Sequence, residues 1–227
     1  MQNTLSIFDD RSDEIKFYFS IMLKMENPDP NISMMGNSRF YKIMKSNFLL
    51  MLYNLVEACV VSGMVEIYEK LKNNNCSYGQ VIRQIQQVWY KHKINEIYTP
   101  TTGRKTYEKR VEEIIESIIA NQPIVISKNA LDVSGNLDAK KIKDICDRHG
   151  IRYRLTTEGE SLERVKKERN KLAHGESSFG DCAKDLTISD LEKIKNEVIS
   201  FLREILNAME TYYDQQLYKA SGCSQEK

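Results

Sequence analysis

The residue types best suited to chemistry in this chain are Arg169, Asn170 and His174, which lie within the segment ERNKLAHG. An imidazole titrates near neutral pH and can remove or deliver a proton, while a guanidinium stays charged and binds phosphate through several N–H groups. These groups suit cleavage of RNA without a metal, in which the ribose 2′-hydroxyl is the nucleophile. The pattern of an arginine followed by any four residues and a histidine is weak by itself. A surface histidine at a helix end is the alternative interpretation.

Apolar spacing predicts that a helix over residues 162–174 positions these side chains and that Gly175 ends it. The apolar stripe of this helix consists of Leu162, Val165 and Leu172. Arg169 falls on the same stripe, where a core residue is expected. Because a guanidinium is costly to bury alone, we expect it to meet a carboxylate, a partner subunit or a phosphate.

Asn170 and His174 are four residues apart, so they lie on one helix face, where the amide could orient the imidazole. His174 directly precedes Gly175 and is expected at a frayed helix end. Arg169 and His174 are separated by roughly 140° around a regular helix. A two-fold dimer that packs these helices together would instead bring two arginines and two histidines into one cleft.

Basic residues are concentrated around this helix, although the formal net charge of the whole chain is only +1. Between Lys140 and Lys171 there are 11 Lys or Arg against 6 Asp or Glu. The candidate substrate-binding residues are Lys166, Lys167 and Lys171. A solvated helical face is the other explanation of this local charge.

The composition predicts an all-α protein, because 227 residues with only 10 Gly and 4 Pro contain too few breakers for many short strands. One domain is expected, ordered over about residues 10–219 and frayed from Ala220. The predicted helices span residues 10–26, 38–72, 78–97, 106–120, 136–150, 162–174 and 189–218. We expect Asn136 to cap the fifth of these, and Ser189 with Glu192 to form a capping box for the last. PIVIS (123–127) is a short strand-like run.

Compartment and cofactor expectations follow from the cysteines and from one apolar segment. Five scattered cysteines without a C-x-x-C arrangement argue against a disulfide framework or a zinc site, so we expect a reducing, cytoplasmic location and no metal or other cofactor. The apolar run from Phe48 to Val65 is interrupted by Asn54, Glu57 and Ser62. A buried central helix is therefore predicted rather than a membrane span.

The segment LERVKKERNKLAHG (162–175) resembles the R-x4-H motif of the HEPN superfamily of helical ribonucleases, including a polar residue directly after the arginine. Further segments are similar to the compact stand-alone bacterial HEPN-like nucleases. They are DEIKFYF (13–19), LLMLYNLVEACV (49–60), SGNLDAKKIKDICDRHGI (134–151) and FGDCAKDLTISDLEKIKNEVISFL (179–202). The resemblance covers most of the chain in the expected order and implies a HEPN-like helical bundle.

By this resemblance Arg169 and His174 would be the catalytic pair and Asn170 the supporting polar residue. It also implies a metal-free endoribonuclease that works as a homodimer with a composite cleft, usually as a toxin or effector in antiviral or stress defence. RNA, a second copy and an antitoxin or defence-system protein would be the partners. Glu57, on the apolar central helix, is a further candidate catalytic residue with Arg169 as an available partner, or else a structural or surface carboxylate.

Two other functions fit the same fold, since function depends on the site. One is a catalytically silent HEPN-like module that binds or regulates a toxin or a nucleotidyltransferase. The other is a structural helical adaptor. The middle region, residues 78–130, matches the family only loosely. Its basic residues Lys91, Lys93, Arg104, Lys105 and Arg110 could steer RNA, and its aromatic residues Trp89, Tyr90 and Tyr98 could stack on bases or belong to the core.

Overall fold

A computed structural model of the chain describes residues 1–26, 38–97, 103–133 and 135–220. The described residues form seven α-helices: α1 (Gln2–Glu26), α2 (Ser38–Asn73), α3 (Arg83–Ile97), α4 (Arg104–Ile119), α5 (Ala139–His149), α6 (Glu160–Ala173) and α7 (Ile188–Asp214). Two short 3-10 helices cover Tyr78–Gln80 and Lys128–Leu131. No strand occurs within these ranges, which confirms the all-α prediction.

The strand-like run at residues 123–127 is extended but forms no sheet. Its contact with the rest of the chain includes the Ile124 N–H, which donates to the carbonyl of Cys76 at 2.9 Å. Ala220, where fraying was expected to begin, donates its N–H to the carbonyl of Gln80 at 3.0 Å. The remainder of the predicted tail lies outside the described residues.

α2 is the central helix, and it packs against α1, α6 and α7. α1 runs antiparallel to it, since Thr4 bonds to Ser62 at one end and Tyr18 bonds to the carbonyl of Met44 at the other. By length and composition alone α2 could cross a membrane, but more than half of its most apolar window is buried inside the bundle. Its burial fits the predicted core helix, because apolar residues around a helix need protein neighbours on several sides.

Two helix starts differ from the prediction. Asp138, not Asn136, caps α5, and its carboxylate accepts from the N–H of Lys141 at 2.8 Å. Thr187 caps α7 and forms the capping box with Asp190, two residues before the predicted pair. Both sequences contain two overlapping capping patterns, and helix packing decides between them.

α6 is fixed at both ends. At its start, the hydroxyl of Ser161 donates a hydrogen bond to Glu197 of α7. The hydroxyl of Thr157 donates to the same carboxylate at 2.8 Å. At its end, Gly175 has φ +70°, its N–H donates to Leu172, and the next N–H donates to Lys171. These two bonds complete a Schellman motif, so the helix end is closed and not frayed as predicted.

His149 is part of a buried polar network between α2, α5 and α7. Its Nδ1–H donates to the carbonyl of Ile145 at 2.6 Å, so Nε2 accepts from the hydroxyl of Tyr68 at 2.7 Å. Tyr212 donates to the His149 carbonyl at 2.7 Å. Burial lowers the pKa of His149 to about 4 and keeps the ring neutral. His92 is buried as well.

We expect the free energy of unfolding to fall as the pH drops from about 6.5, the ordinary histidine pKa, towards about 4. The unfolded chain binds a proton at His149 in this window while the folded chain does not, so this group contributes a slope of up to ~1.4 kcal/mol per pH unit. Urea unfolding of wild type and His149→Gln across pH 4 to 7 measures this slope. His174→Gln is the exposed control, and equal slopes in wild type and His149→Gln would contradict the assignment.

Candidate functional site

The guanidinium of Arg169 lies on α6 against the central helix. Its Cζ stands 4.8 Å from the ring centroid of Tyr53 on α2, a cation–π contact. Its Nη1 donates to the carbonyl of Gly135 at 3.3 Å and to Oδ1 of Asn170 at 3.0 Å. Among the described residues no carboxylate forms an ion pair with Arg169. The arginine is therefore held in place while its positive charge is left without a protein counterion in this part of the chain.

Tyr53 also connects the arginine to the segment that precedes α5. Its hydroxyl accepts from the N–H of Leu137 at 3.3 Å. Burial raises the pKa of Tyr53 despite the opposing effects of this N–H and of Arg169, so the phenol is neutral at physiological pH. The ring and the hydroxyl of one buried side chain thus position both the guanidinium and the backbone that faces it.

Gly135 is required by the close approach of the arginine. It has φ +68°, and a Cβ built at this position would lie 2.6 Å from Nη1 and 3.2 Å from Cζ of Arg169. A side chain here would therefore meet the guanidinium and strain the backbone. The sequence contains a signal for this glycine, the Ser-Gly dipeptide at positions 134 and 135, but its partner 34 residues further along the chain was not predicted from it.

Asn170 positions the arginine and not the imidazole. Its Oδ1 accepts from Arg169, and its Nδ2 donates to Oδ1 of Asn136 at 3.3 Å. The hydrogen bond that joins Asn170 to His174 is the ordinary helical one between backbone groups, at 2.9 Å. The Asn170 amide therefore does not orient the imidazole of His174, as the sequence suggested, because it bonds to the neighbouring guanidinium.

His174 caps the C-terminal end of α6 and its side chain is exposed. No hydrogen bond between the side chains of His174 and Arg169 occurs in the described part of the chain. On a regular helix the two residues differ by roughly 140°, and the structure has Arg169 turned towards α2. One copy of the chain therefore does not bring them together.

Glu57 lies one turn after Tyr53 on α2 and is half-buried. The ion pair with Arg169 that the sequence suggested is not among those formed by the described residues. Glu57 instead lines an open cleft of about 620 Å³ together with Lys128, Asn129 and Asp132. Its negative charge still reaches the site, since it raises the pKa of Tyr53.

The three lysines assigned to substrate binding are all paired with carboxylates. Lys166 pairs with Asp138, Lys167 with Glu163 at 2.7 Å, and Lys171 with Glu168 at 2.8 Å. Partial burial would raise the pKa of Asp138, but Lys166 and the N–H of Lys141 together lower it. Because Lys166 bridges α6 to the cap of α5, it has a structural role that the charge count did not predict.

Other cations of the region have exposed side chains and no ion pair among the described residues: Lys140, Arg152, Arg154 and Arg164. In the middle region, Lys93, Arg104 and Arg110 pair with Glu96, Glu108 and Glu113 on their own helices. Trp89 is buried and packs on Tyr78, so it belongs to the core, whereas Tyr98 lies outside the described residues. Lys91 and Lys105 of the middle region also form no ion pair among the described residues, so cations without an ion pair occur there as well as on and beside α5 and α6.

Residues 1–218 match the model of the HEPN_MAE_28990-like HEPN family. The chain belongs to this family. The match covers both the central helix that carries Tyr53 and the α6 helix that carries Arg169 and His174, in agreement with the helical bundle. No curated protein and no solved structure matches the chain.

HEPN domains are often ribonucleases, and some of them are inactive. Membership in the HEPN family therefore identifies the fold, while the activity depends on the site residues. Among the described residues no group of three or more His, Cys, Asp or Glu side chains is arranged to hold a metal ion.

We expect Gly135→Ala to displace the Arg169 guanidinium and to destabilise the fold by about 1 kcal/mol or more, because it adds a clash to backbone strain. Gly175→Ala is the matched control: its φ is +70° and nothing lies within 4 Å of the added Cβ. Urea unfolding and the NMR shift of the Arg169 side-chain Nε–H measure the two effects. An unmoved Arg169 resonance in Gly135→Ala would contradict the proposed contact.

We expect Lys166→Met to lower the free energy of unfolding by on the order of 1 kcal/mol, since it leaves the half-buried Asp138 unpaired. Lys167→Met should lose little, because the Lys167 side chain is 63% exposed in its pair. Asp138 has a lowered pKa when folded, so the Lys166 contribution is present at neutral pH and disappears in acid. Urea unfolding at pH 7 and near pH 3 compares the variants, and equal losses at pH 7 would refute the structural role.

Proposed function

We propose that this HEPN protein is a metal-independent endoribonuclease that acts as a homodimer, with Arg169 and His174 as its catalytic residues. The single observation that supports this most strongly is the state of Arg169. A half-buried guanidinium is held by an aromatic ring, a carbonyl and an amide, with no carboxylate ion pair among the described residues. A phosphate of RNA would supply the missing negative charge.

The positions of the two residues favour a composite site. Arg169 faces α2, whereas His174 is exposed at the end of the same helix. Two α6 helices related by a two-fold axis would place His174 of each copy beside Arg169 of the other. The arrangement that would exclude cleavage, with both residues buried under the chain's own helices, is not present, because His174 is exposed.

In the proposed reaction His174 takes the proton from the ribose 2′-hydroxyl. The 2′-oxygen forms a bond to the adjacent phosphorus, and the bond from phosphorus to the 5′-oxygen of the next nucleotide breaks. The leaving oxygen receives a proton from water, which gives a 2′,3′-cyclic phosphate and a 5′-hydroxyl. Arg169 stabilises the charge on the non-bridging oxygens, and Asn170 keeps Arg169 oriented.

The remaining roles follow from the charges around the site. Lys140, Arg152, Arg154 and Arg164 are better placed to attract the RNA backbone than the paired Lys166, Lys167 and Lys171. As a cytoplasmic toxin or effector in antiphage or stress defence, the enzyme would need a trigger or a neutralising partner protein to protect the cell that makes it. Glu57 acts only on the electrostatics of Tyr53 in this proposal.

A catalytically silent binding or regulatory module is the second candidate function. It is favoured by the neutralisation of Lys166, Lys167 and Lys171, which weakens the basic surface beside the motif. In that case Arg169 would meet a carboxylate of a protein partner rather than a phosphate.

We expect purified wild type to cut a labelled mixed RNA pool in excess chelator and to leave 2′,3′-cyclic phosphate ends. His174→Ala and Arg169→Lys should each lower the rate by about 10²- to 10⁴-fold, the range for loss of a proton-transfer or charge-stabilising group. Lys16→Ala, an exposed residue of α1, is the control variant. Oligomeric state is measured for each protein so that a lost dimer is not mistaken for lost chemistry.

A mixture of His174→Ala and Arg169→Lys tests the composite site directly. If each cleft uses Arg169 of one copy and His174 of the other, mixed dimers contain one intact cleft and regain part of the activity. Cutting that depends on His174 without recovery in the mixture would place both residues in one chain. If the wild type does not cut RNA under these conditions, the nuclease proposal is contradicted and the binding module is favoured.

A further inference from the structure

α4 is the helix that is least integrated into the bundle. None of its residues is buried, and its main contact among the described elements is with α3. The side that faces the core includes Ile114 and Ile118, which are partly buried. An isolated helix of 16 residues is only marginally stable in water. The apolar side chains of α4 that remain exposed beside α3 therefore need an explanation.

Beside the two isoleucines that face the core, α4 has an apolar stripe, defined here as Tyr107, Val111, Ile115 and Ile119, which begins on the side that faces the core and turns by about 120° towards the outer side. Its members are four residues apart, so each one neighbours the next along the helix surface. Tyr107, Ile115 and Ile119 are 39%, 50% and 75% exposed. Large apolar side chains in one row, open to water, indicate a surface that another molecule covers.

The charges of α4 are divided between its two halves. The first half contains Arg104, Lys105, Lys109 and Arg110 with one acid, Glu108, and the second half contains Glu112, Glu113 and Glu116 with no base. Arg104 pairs with Glu108 and Arg110 with Glu113. Lys105, Lys109, Glu112 and Glu116 form no ion pair among the described residues. On a helical wheel these four lie within about 60° of one another, along one edge of the apolar stripe.

We propose that the apolar stripe of α4 binds the same stripe of a second copy of this chain, with the two helices antiparallel. A parallel pair would bring like charges together, whereas an antiparallel pair places the basic half of each helix beside the acidic half of the other. The apolar stripe is self-complementary about position 113. Tyr107 would meet the partner's Ile119, and Val111 the partner's Ile115.

The free charges fit the same register. In an antiparallel pair with a two-fold axis, equivalent edges of the two helices face each other. Lys109 precedes position 113 by four residues and Glu116 follows it by three, so Lys109 and the partner's Glu116 lie within about 1.5 Å of the same level along the axis. This interface is separate from the α6 contact of the proposed function and does not depend on it.

Charge reversal on the two halves provides the test. We expect the double variants Lys105→Glu/Lys109→Glu and Glu112→Lys/Glu116→Lys each to have half the wild-type mass by sedimentation. In each variant the charged edge of α4 has one sign along its whole length, so two copies repel each other across the interface. An equimolar mixture should regain the wild-type mass, since the two altered helices are complementary. Asp13→Lys/Lys16→Asp, which exchanges an exposed ion pair on α1, is the control and should keep the wild-type mass.

The result is independent of the α6 interface, because the mass falls from dimer to monomer if that interface is absent, and from tetramer to dimer if it is present. Circular dichroism shows whether α4 remains helical in the variants. Equal masses for wild type and both variants, or a mixture that stays at half mass, would overturn the proposal and leave the stripe to a different partner. Ile115→Asp gives a second test, with the same loss of mass expected and no recovery on mixing.

Discussion

The burial of α2 between α1, α6 and α7 is the constraint on which the rest of the structure depends. α2 is apolar around most of its circumference, so it is stable in water only when several helices cover it at once. α1 covers part of α2 in the antiparallel direction, and α6 packs on the middle of α2. Tyr53 of α2 lies where α6 packs, and the candidate site is built on its ring. Core packing and site geometry therefore have one origin.

The site also illustrates how a cation can be fixed without being neutralised. A carboxylate would hold a guanidinium more strongly in a low-dielectric setting, but it would cancel the charge needed to bind an anion. An aromatic face and neutral oxygens orient the group and leave its net charge in place. Arg169 has such surroundings among the described residues, whereas the lysines of the same helix are matched with carboxylates. The difference separates an arginine whose charge is not neutralised by an ion pair among the described residues from lysines whose charges are paired with carboxylates.

Much of the helical pattern could be predicted from the sequence, because apolar periodicity is a local property and the helices of this chain are long. Cap positions such as Asp138 and Thr187 could not, since neighbouring residues offered equivalent local hydrogen bonds. The importance of Arg169 followed from its place on an apolar stripe. Its contacts with Tyr53 and Gly135 are between residues far apart in the chain, and only the packed helices bring them together. The pairing of the lysines was missed for the same reason.

The closed end of α6 has a consequence for the spacing within its motif. Arg169 and His174 belong to one continuous run of helix that is locked to α7 at its start and closed at Gly175. One inserted or deleted residue between them would turn His174 by about 100° and shift it by about 1.5 Å. No loop is present that could absorb such a change. The number of residues between the arginine and the histidine is thus fixed by helix geometry, while the exposed residues between them are free to vary in identity.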